Sequence, residues 1–434
     1  MKYSEKEVIQ FAQENDVKFA KLMFCDIFGG LKTVSVPVGR LKQVFDEGVP
    51  LDVSKDRSLL GISDGDLRLF PDLDTLAILP WRPQQGRVIR FMCNIKYSDG
   101  TPFEGDGRFF LKTAEEYARS KGYEFRIGTS CEFYVCRTDD DGMPLKIPHD
   151  YASYCDAAPF DKGENLRRDI CLTLEQMDIL PESSHHEAGP GQNEINFECA
   201  EPLGAADNFV TFKNVTKTSA ARNGLYASFM PKLYKDEAGS GLHISIDCRK
   251  NGRELMSLEN GSLTPEAGAI IMGIMENIAD ITVFLNSIPN SYQRLASESA
   301  PGTICWSHSN LSQLIRIPTD KNANARVILC SPDSTCSPYF AIGLLIYACI
   351  DGAEKKLELC RPIERCSGSA DKLPKLPDTL FAAAKKCQES GFIEDLIDAK
   401  VIEYFTEQKM MLWDEYRLAK DKESYETAKV FPVI

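Results

Sequence analysis

Three glutamates stand where their spacing could do chemistry. Glu132 lies in GTSCEFYV, where Phe133 and Val135 alternate with Tyr134, so a strand here puts Glu132 on the face of Tyr134, opposite Phe133. Glu187 follows a histidine pair in HHEAGPGQNE, and Glu194 closes that run. Gly189, Pro190 and Gly191 between them read as a tight turn that can bring both carboxylates into one cavity. Three carboxylates meeting there repel one another unless a hard cation neutralises them, which points to Mg²⁺ or Mn²⁺. The competing reading is three solvated surface glutamates in a chain with 64 acidic residues, and spacing alone favours it. His243, in AGSGLHISI, leads into a strand behind glycines that let backbone approach a ligand closely. A lone histidine is more often a core residue than a ligand. The chain has five histidines, so His185, His186 and His243 are noted, although spacing proves nothing for them.

These residues need elements to position them. Ser4 and Glu7 form a capping-box pattern ahead of a short helix. VKFAKLMFCDIFGGLKTVSVPV alternates around Gly29-Gly30, a hairpin signal, and DTLAILPW and GRVIRFMCNI read as further strands. From about Asp106 the pattern changes. GRFFLKTAEEYARSKG reads as a helix, YEFRIGTSCEFYVCR as a strand, DKGENLRRDICLTLEQMDI as a helix and QNEINFECA as a strand. Thr264 and Pro265 are the N-cap and first residue of a long apolar helix, and the chain from LPDTLFAAAKKCQES onward is mostly helical. The pattern gives a small α+β domain over about the first hundred residues and a large α/β unit after it, with no internal repeat.

Composition sets bounds. The 434 residues are 43% hydrophobic and 26% charged, which is ordinary for a globular protein. A net charge of -14 argues against nucleic-acid binding, which needs a basic surface. Fifteen cysteines are scattered with no CxxC pair, and MKYSEKEVIQ has no apolar signal core. Reduced thiols and a cytoplasmic location are expected. No apolar run is read as membrane-spanning, so no membrane segment is expected.

Several runs, in order, resemble class I glutamine synthetase. They are ASYCDAAPFDKGENLRRDI, HHEAGPGQNE, SFMPKLYKDEAGSGLHISI, NSYQRLASESAP, SNLSQLIRIP, SPDSTCSPY and WDEYR. The resemblance covers the chain almost end to end. It implies an α+β fold with an N-terminal β-grasp-like domain over residues 1–103 and a large catalytic domain over 104–434 on a curved antiparallel sheet. It also implies a homo-oligomeric ring, usually two stacked hexamers, with active sites between subunits. The N-terminal domain of one subunit would close the catalytic funnel of the next. The implied reaction is ATP-dependent joining of ammonia or an amine to a small amino-acid-like substrate, a glutamate-like carboxylate.

Carried over by position, one metal site would use Glu132, Glu187 and Glu194. Asp52 matches the aspartate that helps deprotonate ammonium, although the usual Gly-Ser-Ser after it is Val53, Ser54 and Lys55. Tyr154 matches the ammonium-site tyrosine, Arg294 an arginine that binds the amino-acid carboxylate, and Arg316 an arginine near the phosphates. The second metal site falls on Ser130, His243 and Ile328, of which only His243 is a strong ligand. Cys330 and Leu311 stand where phosphate-side arginines are expected. Ser299, with Glu298 beside it, replaces the glutamate of the flexible loop. Ser245 replaces a histidine near the nucleotide, and Ala238 an asparagine. The adenylylation tyrosine motif is absent from CRPIERCSGSADKLPKLP.

These departures erode the side that handles ATP phosphates, where losing one preorganised donor costs ~10²–10³ in rate. Lys55, Arg57, Lys321 and Arg326 are the candidate replacements, with Lys321 and Arg326 assigned to the nucleotide. The other readings are a one-metal enzyme acting without ATP on an amino-acid-like substrate, and a non-catalytic ring protein that regulates a partner. For Cys330, a buried structural role is the default over a functional thiol.

Overall fold

The first helix, Glu5–Glu14, begins as its residues dictate. Ser4 Oγ accepts from the Glu7 N–H at 3.3 Å, and Glu7 Oε2 accepts from the Ser4 N–H at 2.6 Å. The computed structural model describes all residues except 1–2, 54–58, 60–64, 83, 257, 260–261, 296, 298–299, 311, 319–325 and 364–372. Ser54, Lys55, Arg57, Glu298, Ser299, Leu311 and Lys321 therefore lie outside the described residues.

The alternating run forms Val17–Cys25 and Leu31–Pro37, paired antiparallel with Ala20 opposite Val36. Gly29 in the turn has φ +83°, and a Cβ there would lie 2.7 Å from the Cys336 carbonyl oxygen and 2.8 Å from Ser337 Cα. Only glycine lets this turn rest on that backbone. The sheet order is Leu31–Pro37, Val17–Cys25, Arg87–Tyr97, Leu67–Pro71, Val49–Leu51. DTLAILPW contributes only the two-residue strand Ala77–Ile78, against the expectation of a full strand. Asp72 accepts from the Asp74 N–H and winds Leu73–Thr75 into a 3-10 turn instead.

The second sheet has ten strands around the 16-residue strand Tyr123–Thr138. Its main path runs Trp306–Ser307, Ile315–Arg316, Val327–Leu329, Leu242–Lys250, Tyr123–Thr138, Gln192–Phe197, Pro181–His186. Alternation sends Phe133 to the helix-covered face, where its ring lies 5.9 Å from Phe212 and 5.6 Å from Phe229. Pro202–Arg222 supplies Phe209 and Phe212 to this core.

Behind it, Pro265–Leu285 and Pro338–Lys355 cross at glycines. A Cβ on Gly273 would lie 2.2 Å from the Ala348 carbonyl oxygen, and one on Gly352 2.2 Å from that of Ala269. Pro265–Leu285 is long and apolar enough to cross a membrane, contrary to the expectation that no run reaches that length. Its apolar window is 78% buried inside the protein, so its hydrophobicity is that of a core helix.

A buried cluster ties the small sheet to the helices of the larger unit, since Arg108 opens the helix Gly107–Ser120, Asp207 lies on Pro202–Arg222 and Asp72 follows the small-sheet strand Leu67–Pro71. Arg108 donates to both Asp207 oxygens at 3.2 and 2.9 Å and meets Asp72 at 2.9 Å, while Tyr339 Oη donates to Asp207 at 2.7 Å.

Candidate functional site

Register brings the acidic residues together. In the antiparallel pair Tyr123–Thr138 and Gln192–Phe197, Glu132 lies directly opposite Glu194, and on the next strand Glu194 lies opposite His185. Directly opposed like charges destabilise a sheet. Ligand atoms of Glu132, Glu194 and His243 lie within 4.8 Å of one another, as do those of His185, Glu187 and Glu194. Glu194, 8% exposed, is thus shared by two triads. Sequence reasoning assigned Glu132, Glu187, Glu194 and His243 to the metal and noted His185 without assigning it. Its signal was its place two residues before Glu187, visible only once the strand register is known.

Glu132 and Glu187 are held in place by hydrogen bonds. Glu132 Oε2 accepts from the Gly241 N–H at 2.9 Å and faces Gln192 Nε2 at 3.4 Å. Gln192 Nε2 also donates to the Gly239 carbonyl at 3.1 Å, and its Oε1 accepts from the Gly189 N–H at 2.9 Å. One amide therefore fixes both glycine loops. Glu187 Oε1 meets His185 Nε2 at 2.9 Å, and Oε2 accepts from the Ala188 N–H at 3.0 Å. The 189–191 turn is closed by the Gln192 N–H donating to the Gly189 carbonyl at 2.9 Å.

Electrostatics follow from this crowding. Burial first, then the neighbouring Glu194 charge, pushes the Glu132 carboxyl up to about 8, against the pull of the Gly241 N–H. Burial and Glu187 push Glu194 up to about 7, with His185 opposing. Burial, then Arg294 and Arg316, lowers His243 to about 4, so its imidazole is neutral near pH 7. Carboxylates reluctant to ionise beside a neutral imidazole are a donor set that a divalent cation would complete.

Asp150 supports the site from beneath, and nothing in its local sequence announced it. Its Oδ1 accepts from His186 Nε2 at 2.9 Å and from the Gly191 N–H at 3.1 Å. Its Oδ2 accepts from the Lys162 N–H at 2.9 Å. The third triad of potential ligands, Asp150, Asp161 and His186, is buried, and Asp161 is committed to Arg167 with its nearer contact at 2.5 Å.

The remaining expected residues divide. Arg294 is 3% exposed and donates through Nη1 to the Ser331 carbonyl and through Nη2 to the Cys330 carbonyl, each at 2.9 Å. A Cβ on Gly239 or Gly241 would come within 2.8 Å of Arg294 Cγ or 2.6 Å of its Nη2. The glycines before His243 thus make room for Arg294, and not only for a ligand. Tyr154 is exposed and stacks edge-on against His185 at 5.4 Å. Arg316 is half-buried, with its Nε lacking a hydrogen-bond partner among the described residues. Arg326 is exposed and lies 3.5 Å from Glu182. Asp52 is exposed just after the edge strand Val49–Leu51 of the small sheet. Ser130 pairs with His243 across the strands, and Ile328 with Ser245 and Arg316. Burial pushes the Cys330 thiol up to about 12, which keeps it protonated and unreactive.

Two family models match the chain. "Glutamine synthetase, beta-Grasp domain" matches residues 16–98, and "Glutamine synthetase, catalytic domain" matches residues 104–428. Glutamine synthetase of Clostridium saccharobutylicum is 38% identical over 426 residues, 96% of each chain. That of Staphylococcus epidermidis is 37% identical over the same length. Among solved structures, a GmaS/ADP complex superposes with a TM-score of 0.87 at 24% identity, covering 97% of this chain and 99% of that one. Plasmodium falciparum glutamine synthetase superposes with a TM-score of 0.88 at 18% identity, covering 99% of each.

Proposed function

Because the chain belongs to the glutamine synthetase family, we propose that it is a metal-dependent ligase joining ammonia or a small amine to a glutamate-like carboxylate. Its fold is that of the family, a β-grasp domain followed by a large catalytic domain on a curled, mainly antiparallel sheet. The observation that carries the reading is the opposition of Glu132 and Glu194, flanked by Glu187 and neutral His243. A Mg²⁺ or Mn²⁺ ion held by Glu132, Glu187 and Glu194, with His243 beside it, would supply a Lewis acid that neutralises developing charge. Arg294 is assigned to the substrate carboxylate. Tyr154 and Asp52 are assigned to the amine, with Asp52 taking a proton as the amine attacks.

In the full reaction a carboxylate, an amine and ATP give an amide, ADP and phosphate. The half-buried Arg316, whose Nε has no partner among the described residues, is the described residue best suited to the phosphates. Arg326 and Lys321 are assigned to the nucleotide. We place the protein in the cytoplasm as a homo-oligomeric ring, with Asp52, just after the strand Val49–Leu51, closing the neighbour's site.

A second reading is favoured by Ile328 and buried Cys330, which stand where the family resemblance puts a metal ligand and an arginine. It is a one-metal enzyme acting on an amino-acid-like substrate without ATP. Calorimetry of ATP binding with Mg²⁺ or Mn²⁺, alongside phosphate release with glutamate and ammonium, separates the two. Glutamate-dependent phosphate release establishes the ligase. Uptake of one divalent ion with no ATP binding rejects it in favour of the second reading.

A further inference from the structure

A cavity of about 490 Å³ opens on the helix-covered side of the catalytic sheet, away from Glu132. It is formed by the Gly29-Gly30 turn, the helix Pro202–Arg222, the helix Ala399–Leu418 and residues 335–338. Four lysines line it, Lys32, Lys213, Lys217 and Lys409. Lys409 is 5% exposed, and its ammonium lies over the Phe28 and Phe405 rings at 4.7 and 4.9 Å. It has no hydrogen-bond acceptor among the described residues. An ammonium that opens on a cavity with only ring faces beside it keeps its N–H groups for whatever occupies that cavity.

The other charges in the cavity do not resolve this. Asp26 Oδ1 accepts from the Phe28 and Gly30 N–H groups at 3.0 and 2.8 Å, and Oδ2 faces Lys32 at 3.6 Å. Asp333, the other carboxylate that acts on Lys409, accepts from the Thr335 N–H at 2.9 Å. Lys213 donates to the Ser334 carbonyl at 2.6 Å and Lys217 to the Val433 carbonyl at 3.1 Å, so each retains N–H groups for a ligand. Ile434 closes one wall, its carbonyl oxygen accepting from the Phe229 N–H at 3.0 Å.

We infer that this cavity is a second ligand site, which binds a small molecule bearing a carboxylate or phosphate group through the buried Lys409, with Lys213 and Lys217 around it. Phe28, Val210, Ile288 and Pro338 offer apolar wall to the rest of such a molecule. The site bears on the catalytic face through one segment. Ser334, which accepts from Lys213, and Cys336, which lines the cavity, follow directly on Cys330 and Ser331, whose carbonyls hold Arg294.

The test is calorimetric titration of the assembled protein in Mg²⁺ buffer with inorganic phosphate and, separately, with succinate. Lys409→Met keeps the stem between the two rings, and Arg316→Met serves as the control at the catalytic site. Binding of either anion at one per chain, weakened about tenfold or more by Lys409→Met and unaltered by Arg316→Met, is expected. The anion that binds identifies the head group. No binding of either at millimolar concentration, or binding lost in Arg316→Met and kept in Lys409→Met, overturns the proposal. If Lys409→Met does not fold, Lys217→Gln at the half-buried wall must weaken binding severalfold, and unchanged affinity there overturns it equally.

Discussion

Asp150 and His186 form a buried pair at 2.9 Å, while the other ring nitrogen of His186 meets the Glu187 carbonyl at 2.6 Å. Both partners are acceptors, so each contact favours a proton on the ring nitrogen it meets, and together they favour the charged imidazolium. Burial opposes that charge, and the bonds to Asp150 and Glu187 more than offset it, leaving the His186 pKa raised. The same pair anchors the backbone of Glu187 and, through the Gly191 N–H, the far end of the turn.

Asp150→Asn should therefore loosen Glu187 without touching the metal position. A supporting residue of this kind typically costs 10–100-fold in metal affinity, about what is expected here. Mn²⁺ calorimetry measures it, with circular dichroism to verify the fold. Unchanged affinity in a folded variant would remove Asp150 from the site.

Metal uptake should release protons. With Glu132 near 8 and Glu194 near 7 in the metal-free protein, both must ionise to ligate. Near pH 7 on the order of one proton should leave per ion, and affinity should climb from pH 6 and level off above 8. Calorimetry in buffers of different ionisation enthalpy reads the proton count directly. The sign for stability follows from the same shifts. Folded-state values above the ordinary carboxylate range stabilise below that range and lose this contribution as pH rises through 7 and 8. The metal-free protein should melt lower at pH 8 than at pH 5.5, and Mg²⁺ should restore much of the loss. A flat profile would contradict the crowding of Glu132 and Glu194.

Ser130→Glu with Ile328→Glu should create a second cation site beside His243. The expected change is from one to two divalent ions per chain, counted by equilibrium dialysis. A count that stays at one would mean that the strand register does not bring residue 328 to the metal face.

Helix packing gives a test independent of function. Gly273→Ala pushes a methyl group into the Ala348 carbonyl and should destabilise by about 3 kcal/mol. Gly204→Ala, whose nearest neighbour would be Ala200 Cβ at 3.8 Å, should instead stabilise by about 0.5–1 kcal/mol. Urea unfolding of the two variants separates these signs, and a tolerated Gly273→Ala would deny the close crossing.

Local rules carried part of this architecture. The Ser4 and Glu7 capping box, the Thr264 N-cap ahead of Pro265 and the turn at Gly29-Gly30 could be read because each rests on contacts a few residues apart. The acidic ligands were legible as residues but not as a geometry. Glu132 and Glu194 meet through strand register across sixty-two positions of sequence, and local periodicity carries no such information. Asp150 escaped notice for the same reason, since its partners lie at 186 and 191. Pro265–Leu285 shows the converse, an apolar composition whose meaning is settled by what packs around it.

The turn at Gly29 bears on how the molecule can move. Its backbone lies against that of residues 336–337 with no space for even a methyl group, and Arg108 joins Asp72, beside the small sheet, to Asp207 on the helix Pro202–Arg222. A hinge needs clearance, and these contacts leave none where the halves of the chain meet at Gly29 and at Arg108. Opening and closing over the acidic site would then fall to loops or to displacement of whole subunits, with each chain travelling as a single rigid piece.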